Sequence, residues 1–190
     1  MIKAVIFDCF GVLTTDGWKQ IREQYFAQDE DKLRHAHDID RAVNAGMMEY
    51  VEFITEISSM TGLTTEDVRQ QLDGAVPNNI LFEYIRDSLK PNYKIGMLSN
   101  AAADWLKDLF EPWQAGLFDE VVLSFETGLV KPDARIYTLI TNQLGVESQE
   151  CLFIDDNEHY CTAAEQLGIT AIYHQDTHET IAKIQELLRA

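Results

Sequence analysis

Five short runs of the chain are almost continuously apolar: IKAVIF at 2–7, KIGML at 94–98, EVVL at 120–123, CLFI at 151–154 and TAIY at 170–173. Runs that short, without polar alternation, predict strands buried on both faces and hence a parallel sheet. Between the later runs the apolar positions take helical spacing: Ala102, Trp105, Leu106 and Leu109; Ile136, Leu139, Ile140 and Leu144; Ala163, Ala164 and Leu167. Each set predicts a helix crossing over to the next strand, and Ile181, Ile184 and Leu188 predict a closing one. The first two runs are joined differently. Residues 8–93 hold no strand pattern but several helical ones, among them Tyr50, Phe53, Ile54 and Ile57, then Leu81, Ile85 and Leu89. Connections inside compact domains usually run about 2 to 6 residues, so this segment reads as a helical insertion with its own task. The expected architecture is α/β: a doubly wound, Rossmann-like parallel sheet from residues 1–14 and 91–190, with a helical cap at 15–90.

Length and charge narrow the picture. A chain of 190 residues that is 46% hydrophobic can bury one good core and a small appended subdomain, not two full-sized domains. Its 15 basic and 32 acidic residues give a net charge of −17, which repels phosphate backbones and anionic lipid. Nucleic acid and membrane partners are therefore not expected; a small-molecule substrate is, with the chain a monomer or homodimer. No apolar run approaches the roughly 20 residues of a membrane helix. Cys9, Cys151 and Cys161 are odd in number and lack zinc spacing, and the chain opens on a strand rather than a targeting stretch, so a cytoplasmic location is expected.

Ligands of a doubly wound sheet bind beyond the carboxyl ends of its strands. Asp8 follows the first run, Ser99 and Asn100 follow or end the second, the third leads through SFETGLVKPD to Lys131, and Asp155 and Asp156 follow the fourth. Singly, each aspartate could cap a loop or helix. Gathered at one sheet edge they would repel each other in a partly dry cleft, and a cation resolves the conflict. Hard oxygen ligands with open coordination suit Mg²⁺. Lys131 and Ser99 could hold charge developing on a transferred group, and a carboxylate such as Asp8 can act as a nucleophile.

FDCFGVL, MLSN, GLVKPDARIY and LFIDDNEHYCTAAEQLG, in that order, resemble the four motifs of the haloacid dehalogenase-like hydrolase superfamily, and the insertion resembles its small helical cap. The resemblance implies a Mg²⁺-dependent phosphatase that acts on a small phosphorylated metabolite through an aspartyl phosphate. It makes Asp8 nucleophile and metal ligand, the backbone carbonyl of Phe10 a second ligand, and Asp156, helped by Asp155, the remaining protein ligand. Ser99 and Lys131 become phosphate holders. Asn100 is expected to orient substrate or nucleophile, or to cap a helix starting at AAADW, and Trp18, near the cap hinge, to touch substrate.

Phe10 stands where such phosphatases usually carry a second aspartate, the proton donor to the leaving group. Three readings stay open: a phosphatase without that acid; a 2-haloacid dehalogenase, whose halide needs no proton but whose last motif lacks the double acid; and a catalytically impaired protein that binds or regulates. Tyr160 departs too, from an Asn or Asp that braces the metal site, and reads first as a packing residue. His35 and His37 point to different helix faces, His174 and His178 lack a third ligand, and Cys9 reads as a small core residue.

Overall fold

In the computed structural model, which describes residues 1–189, the five apolar runs form one parallel sheet in the order β3-β2-β1-β4-β5. Its strands are β1 (Ala4–Phe7), β2 (Lys94–Ser99), β3 (Glu120–Leu123), β4 (Cys151–Asp155) and β5 (Thr170–Tyr173). Every residue of β1 and β4 is buried, which is the physical reason their sequences do not alternate. On one face Val5, Phe7, Ile95, Met97 and Ile154 share a core with Leu81, Phe82, Ile85 and Ile184. On the other, Ala4, Ile6, Leu98 and Phe153 meet Ile136, Tyr137, Ile140 and Leu144.

β1 is central. Ala4 pairs with Lys94 on one side and Cys151 on the other, and Phe7 with Met97 and Ile154. The chain thus winds outward in both directions from β1, and the crevice of such a sheet opens where the winding reverses. The register carries Asp8 and Asp155 out of neighbouring strands side by side, and the Asp8 amide still donates to the Ile154 carbonyl at 2.9 Å.

Between β1 and β2 stand α1 (Gly17–Ile21), running on as a π-helical turn (Arg22–Phe26), α2 (Glu30–Asn44), α3 (Tyr50–Thr61), α4 (Thr65–Asp73) and α5 (Asn79–Tyr84), prolonged by a second π-helical turn (Ile85–Leu89). Asp16, Asp29 and Thr64 cap α1, α2 and α4 with side-chain oxygens, Thr64 in a reciprocal box with Asp67. α1 to α4 bury a core of their own around Ile21, Phe26, Ile39, Phe53, Ile54 and Ile57. α5 does not share it. Leu81, Phe82, Ile85 and Leu89, within the stretch 15–90 read as a helical cap, face the sheet. The chain leaves and re-enters the insertion side by side: Thr15 N donates to Val76 O at 3.0 Å and Asn78 N to Leu13 O at 2.8 Å.

The crossover from β2 to β3 differs from its predicted single helix. It holds only α6 (Leu106–Leu109) and α7 (Pro112–Ala115), with Phe110 and Glu111 extended between them. Pro112 lacks an N–H and excludes the residue before it from helical geometry. Pro112 thus separates α6 from α7; residues 100–105 form a loop over the sheet edge, and Asn100 caps no helix. Beyond β3 come α8 (Ser124–Thr127), α9 (Ala134–Leu144), α10 (Glu158–Glu165) and α11 (Thr177–Arg189), the last three where periodicity predicts helices. No helix among the described residues is long and apolar enough to cross a membrane.

Candidate active site

Lys131 lies in the loop between α8 and α9 and is 2% exposed. Its Nζ donates to Asp8 Oδ1 at 2.7 Å and to Asp155 Oδ2 at 2.6 Å, so one cation bridges the acids leaving β1 and β4. The rings of Tyr160 and Phe153 lie 5.2 and 5.5 Å from the same ammonium. Burial works against the charge of Lys131, but the Asp155 and Asp8 carboxylates outweigh it and its pKa is raised. Burial lifts Asp8 well above the usual carboxylate range even against the pull of Lys131, and Asp155 adds to the lift. Asp155, itself fully buried, also accepts from Asn157 N at 2.8 Å, which fixes its orientation.

Asp156 stands one residue further, partly exposed, and receives Lys19 Nζ from α1 at 3.0 Å. Ligand oxygens of Asp8, Asp155 and Asp156 all lie within 4.8 Å of one another. Opposite ligands of Mg²⁺ are about 4.2 Å apart, so the donor set fits a small hard cation after a shift of a few tenths of an ångström. Gly11 makes room for the Asp156 carboxylate. At φ +90°, a Cβ on this residue would lie 2.5 Å from the Asp156 carboxyl carbon, a contact no side chain could make.

Asn100 reads the loop of Lys131. Its Oδ1 accepts from Lys131 N at 2.8 Å and its Nδ2 donates to Lys131 O at 3.2 Å, clamping the residue that holds Asp8. Tyr160 lies within reach of the same amide, its hydroxyl 3.4 Å from Asn100 Nδ2. It therefore braces Lys131 as well as packing. Ser99 ends β2 beside the exit of β1 that carries Asp8; it is 1% exposed, and its hydroxyl donates to the Asn100 carbonyl at 3.4 Å.

Over the carboxylates opens a cavity of about 1190 Å³, bounded by the sheet edge below and by α1 to α3 above. Phe10 lines it, its ring edge-on to Trp105 at 5.5 Å, and Tyr50 of α3 meets Trp105 at 5.5 Å from the other side. Trp18 lines it from the insertion, packed at 5.1 Å against Phe53.

A family model described as haloacid dehalogenase-like hydrolase matches residues 2–168. The chain belongs to that family. This haloacid dehalogenase-like hydrolase is 24% identical to the sesquiterpene phosphatase astK of Aspergillus oryzae, over 98% of this chain and 96% of that one. A HAD-like family hydrolase of Porphyromonas gingivalis superposes over 100% of this chain and 99% of its own, with a TM-score of 0.75 and 29% identity. A HAD family enzyme of Bacteroides thetaiotaomicron, solved in complex with magnesium and inorganic phosphate, shares the fold at a TM-score of 0.67 and 23% identity, over 95% of this chain and 99% of its own.

In this haloacid dehalogenase-like hydrolase several cavity residues have no motif to announce them: Lys19, Arg22, Asp40 and Trp105. The one available signal for Lys19 and Arg22 is their rarity, as cations just past the hinge of a strongly acidic chain. His37 and His159 line the cavity, while His35 and His174 lie outside it. His35 faces Glu56 at 3.6 Å on the surface, and His174 Nδ1 is bound to Thr180 Oγ1 at 2.8 Å. Cys9 is a core residue whose thiol pKa is pushed far up by burial and then by Asp8.

Proposed function

We propose that this hydrolase cleaves a phosphate monoester of a small metabolite, with Asp8 as nucleophile and Mg²⁺ as cofactor. The observation that carries the reading is the convergence of three carboxylates and a buried lysine at one strand edge. Asp8, Asp155, Asp156 and the Phe10 carbonyl would hold Mg²⁺, which when bound neutralises the incoming phosphoryl group and the acids together. Asp8 Oδ attacks phosphorus and the ester oxygen leaves; water then hydrolyses the aspartyl phosphate and restores the carboxylate. Lys131 holds charge on the phosphoryl oxygens, kept in place by Asn100 and Asp155. The magnesium and phosphate bound by the Bacteroides enzyme, and the phosphatase activity named for the Aspergillus relative, support this reading.

The test is phosphate release from p-nitrophenyl phosphate with and without Mg²⁺, beside halide release from 2-chloropropionate. Mg²⁺-dependent phosphate is expected; metal-independent halide would hand the site to the dehalogenase reading, which Phe10 favours. Phe10 cannot donate a proton, so an alkoxide must leave unaided. Phe10→Asp is therefore expected to raise kcat on alkyl phosphates by about 10² while leaving aryl phosphates within a few-fold. An equal gain on both would refute that account. Gly11→Ala should displace Asp156 and weaken Mg²⁺ by about 10- to 100-fold, read from the metal dependence of activity or of Tm.

A further inference from the structure

The three carboxylates at the strand exits are not free to offer both of their oxygens. Lys131 Nζ holds Asp8 Oδ1 at 2.7 Å and Asp155 Oδ2 at 2.6 Å, and the Asn157 amide holds Asp155 Oδ1 at 2.8 Å. Asp156 has the most exposed side chain of the three, at 16%, and a second lysine is set against it. Lys19 Nζ donates to Asp156 Oδ2 at 3.0 Å, across 137 residues of chain. Asp156 Oδ1 accepts no hydrogen bond among the described residues and is not sealed from water.

Lys19 is brought there by the insertion. It lies on α1, the first helix past the hinge, with its backbone amide donating to Asp16 Oδ1 at 3.0 Å. A Cβ on Gly17 would run into the Gln71 carbonyl, so α1 is pressed onto α4 and is placed by the packing of the insertion. The ammonium stays charged, because its bond to Asp156 raises its pKa and outweighs its partial burial. An ion pair this open to water adds little to stability. What it does fix is which oxygen of Asp156 a metal can use.

We propose that Lys19 is a positioning residue that selects the metal: by holding Asp156 Oδ2 it leaves only Oδ1 to a cation, which favours Mg²⁺ over Ca²⁺. This rests on the reading of the three aspartates as a divalent-cation site and adds how that site chooses its ion. Mg²⁺ takes single oxygens in a tight octahedron, whereas Ca²⁺ takes roughly six to eight and often both oxygens of one carboxylate. Selectivity is then supplied by the insertion, not by the strand exits that carry the ligands. A lysine near the site also repels both ions, but it repels them alike since their charges are equal. The ratio of the two affinities therefore isolates the held oxygen from the bare charge.

Calorimetric titration of Mg²⁺ and of Ca²⁺ into the native chain and into Lys19→Met, with no substrate present, measures that ratio. The native chain is expected to prefer Mg²⁺, and Lys19→Met, which keeps the stem but frees Oδ2, should lose about 10-fold of the preference through tighter Ca²⁺ binding. Should the methionine variant not fold, Lys19→Gln, one bond shorter and uncharged, takes its place. A crystal structure of the variant with Ca²⁺ should show both Asp156 oxygens on the ion, against one in the native chain. An unchanged ratio, equal tightening of both ions, a native chain that favours Ca²⁺, or one Asp156 oxygen on the ion in both proteins overturns the proposal. Its failure is separable from that of the phosphatase reading: a Mg²⁺ preference that Lys19→Met loses, with no phosphate released from any ester, defeats only the latter, while no binding of either ion defeats the cation site and the role of Lys19 together.

Discussion

Replacing Asp8 with Asn is expected to lower Mg²⁺-dependent phosphate release by about 10⁴-fold or more, because an amide oxygen cannot form the covalent intermediate and nothing else on the strand can substitute. The fold should survive. Asn has the size of Asp, and Lys131 keeps its 2.6 Å bond to Asp155 when Asp8 is gone. A loss of activity with Tm within a few degrees of the native protein therefore reports on chemistry. Appreciable residual turnover in a pure preparation would show that another group attacks phosphorus, and the assignment of Asp8 would have to be abandoned.

Lys131→Met should produce the largest loss of stability of any single change at the site. The ammonium is 2% exposed and lies within 2.7 Å of two carboxylates. Removing one partner of a buried ion pair typically costs about 3–5 kcal/mol, since the remaining charge is stranded. Here two acids would be left facing each other. A divalent ion restores the balance, so Mg²⁺ should raise the Tm of the variant by more than that of the native protein, in proportion to how strongly each binds it. Chemical unfolding with and without Mg²⁺ measures both effects. A loss below about 1 kcal/mol, the scale of an exposed pair, would mean that the acids are not charged together in the folded protein, and the need for a cation would fall with it.

The aromatic wall of the cavity adds to how these variants should behave. Phe10, Trp105 and Tyr50 form a chain of edge-on contacts from the end of β1 to α3. The residue that replaces the usual acid is therefore tied by packing to the insertion above it. Phe10→Asp trades that contact for a proton donor, and its gain on alkyl phosphates measures the net of the two.

Most of the sheet is written locally. The apolar runs at 2–7, 94–98, 120–123, 151–154 and 170–173 each form a strand, because a strand buried on both faces must be apolar throughout. Asp8, Asp155 and Asp156 were readable for the same reason: each follows such a run, and strand ends in this architecture face one crevice. Of the helix expected from Ala102 to Leu109 only Leu106–Leu109 forms, and the residues before it run as a loop whose first side chain, Asn100, is tied to the backbone of Lys131. The C-terminal part of the insertion is another case: the apolar face of α5 looks the same whether it packs on the cap or on the sheet, and Leu81, Phe82, Ile85 and Leu89 join the sheet's core.

The sequence by itself determined the strands, most of the crossover helices and the acids that end β1 and β4, since these follow from periodicity and from which residue comes next. Only the tertiary structure decided that Lys131 bridges Asp8 to Asp155 from 24 residues before the latter, that Asn100 clamps its backbone, and that Lys19 of the insertion reaches Asp156. Such contacts join residues remote in the chain, and their partners are chosen by sheet register and by how the insertion folds back. Neither leaves a mark in the spacing of the residues themselves.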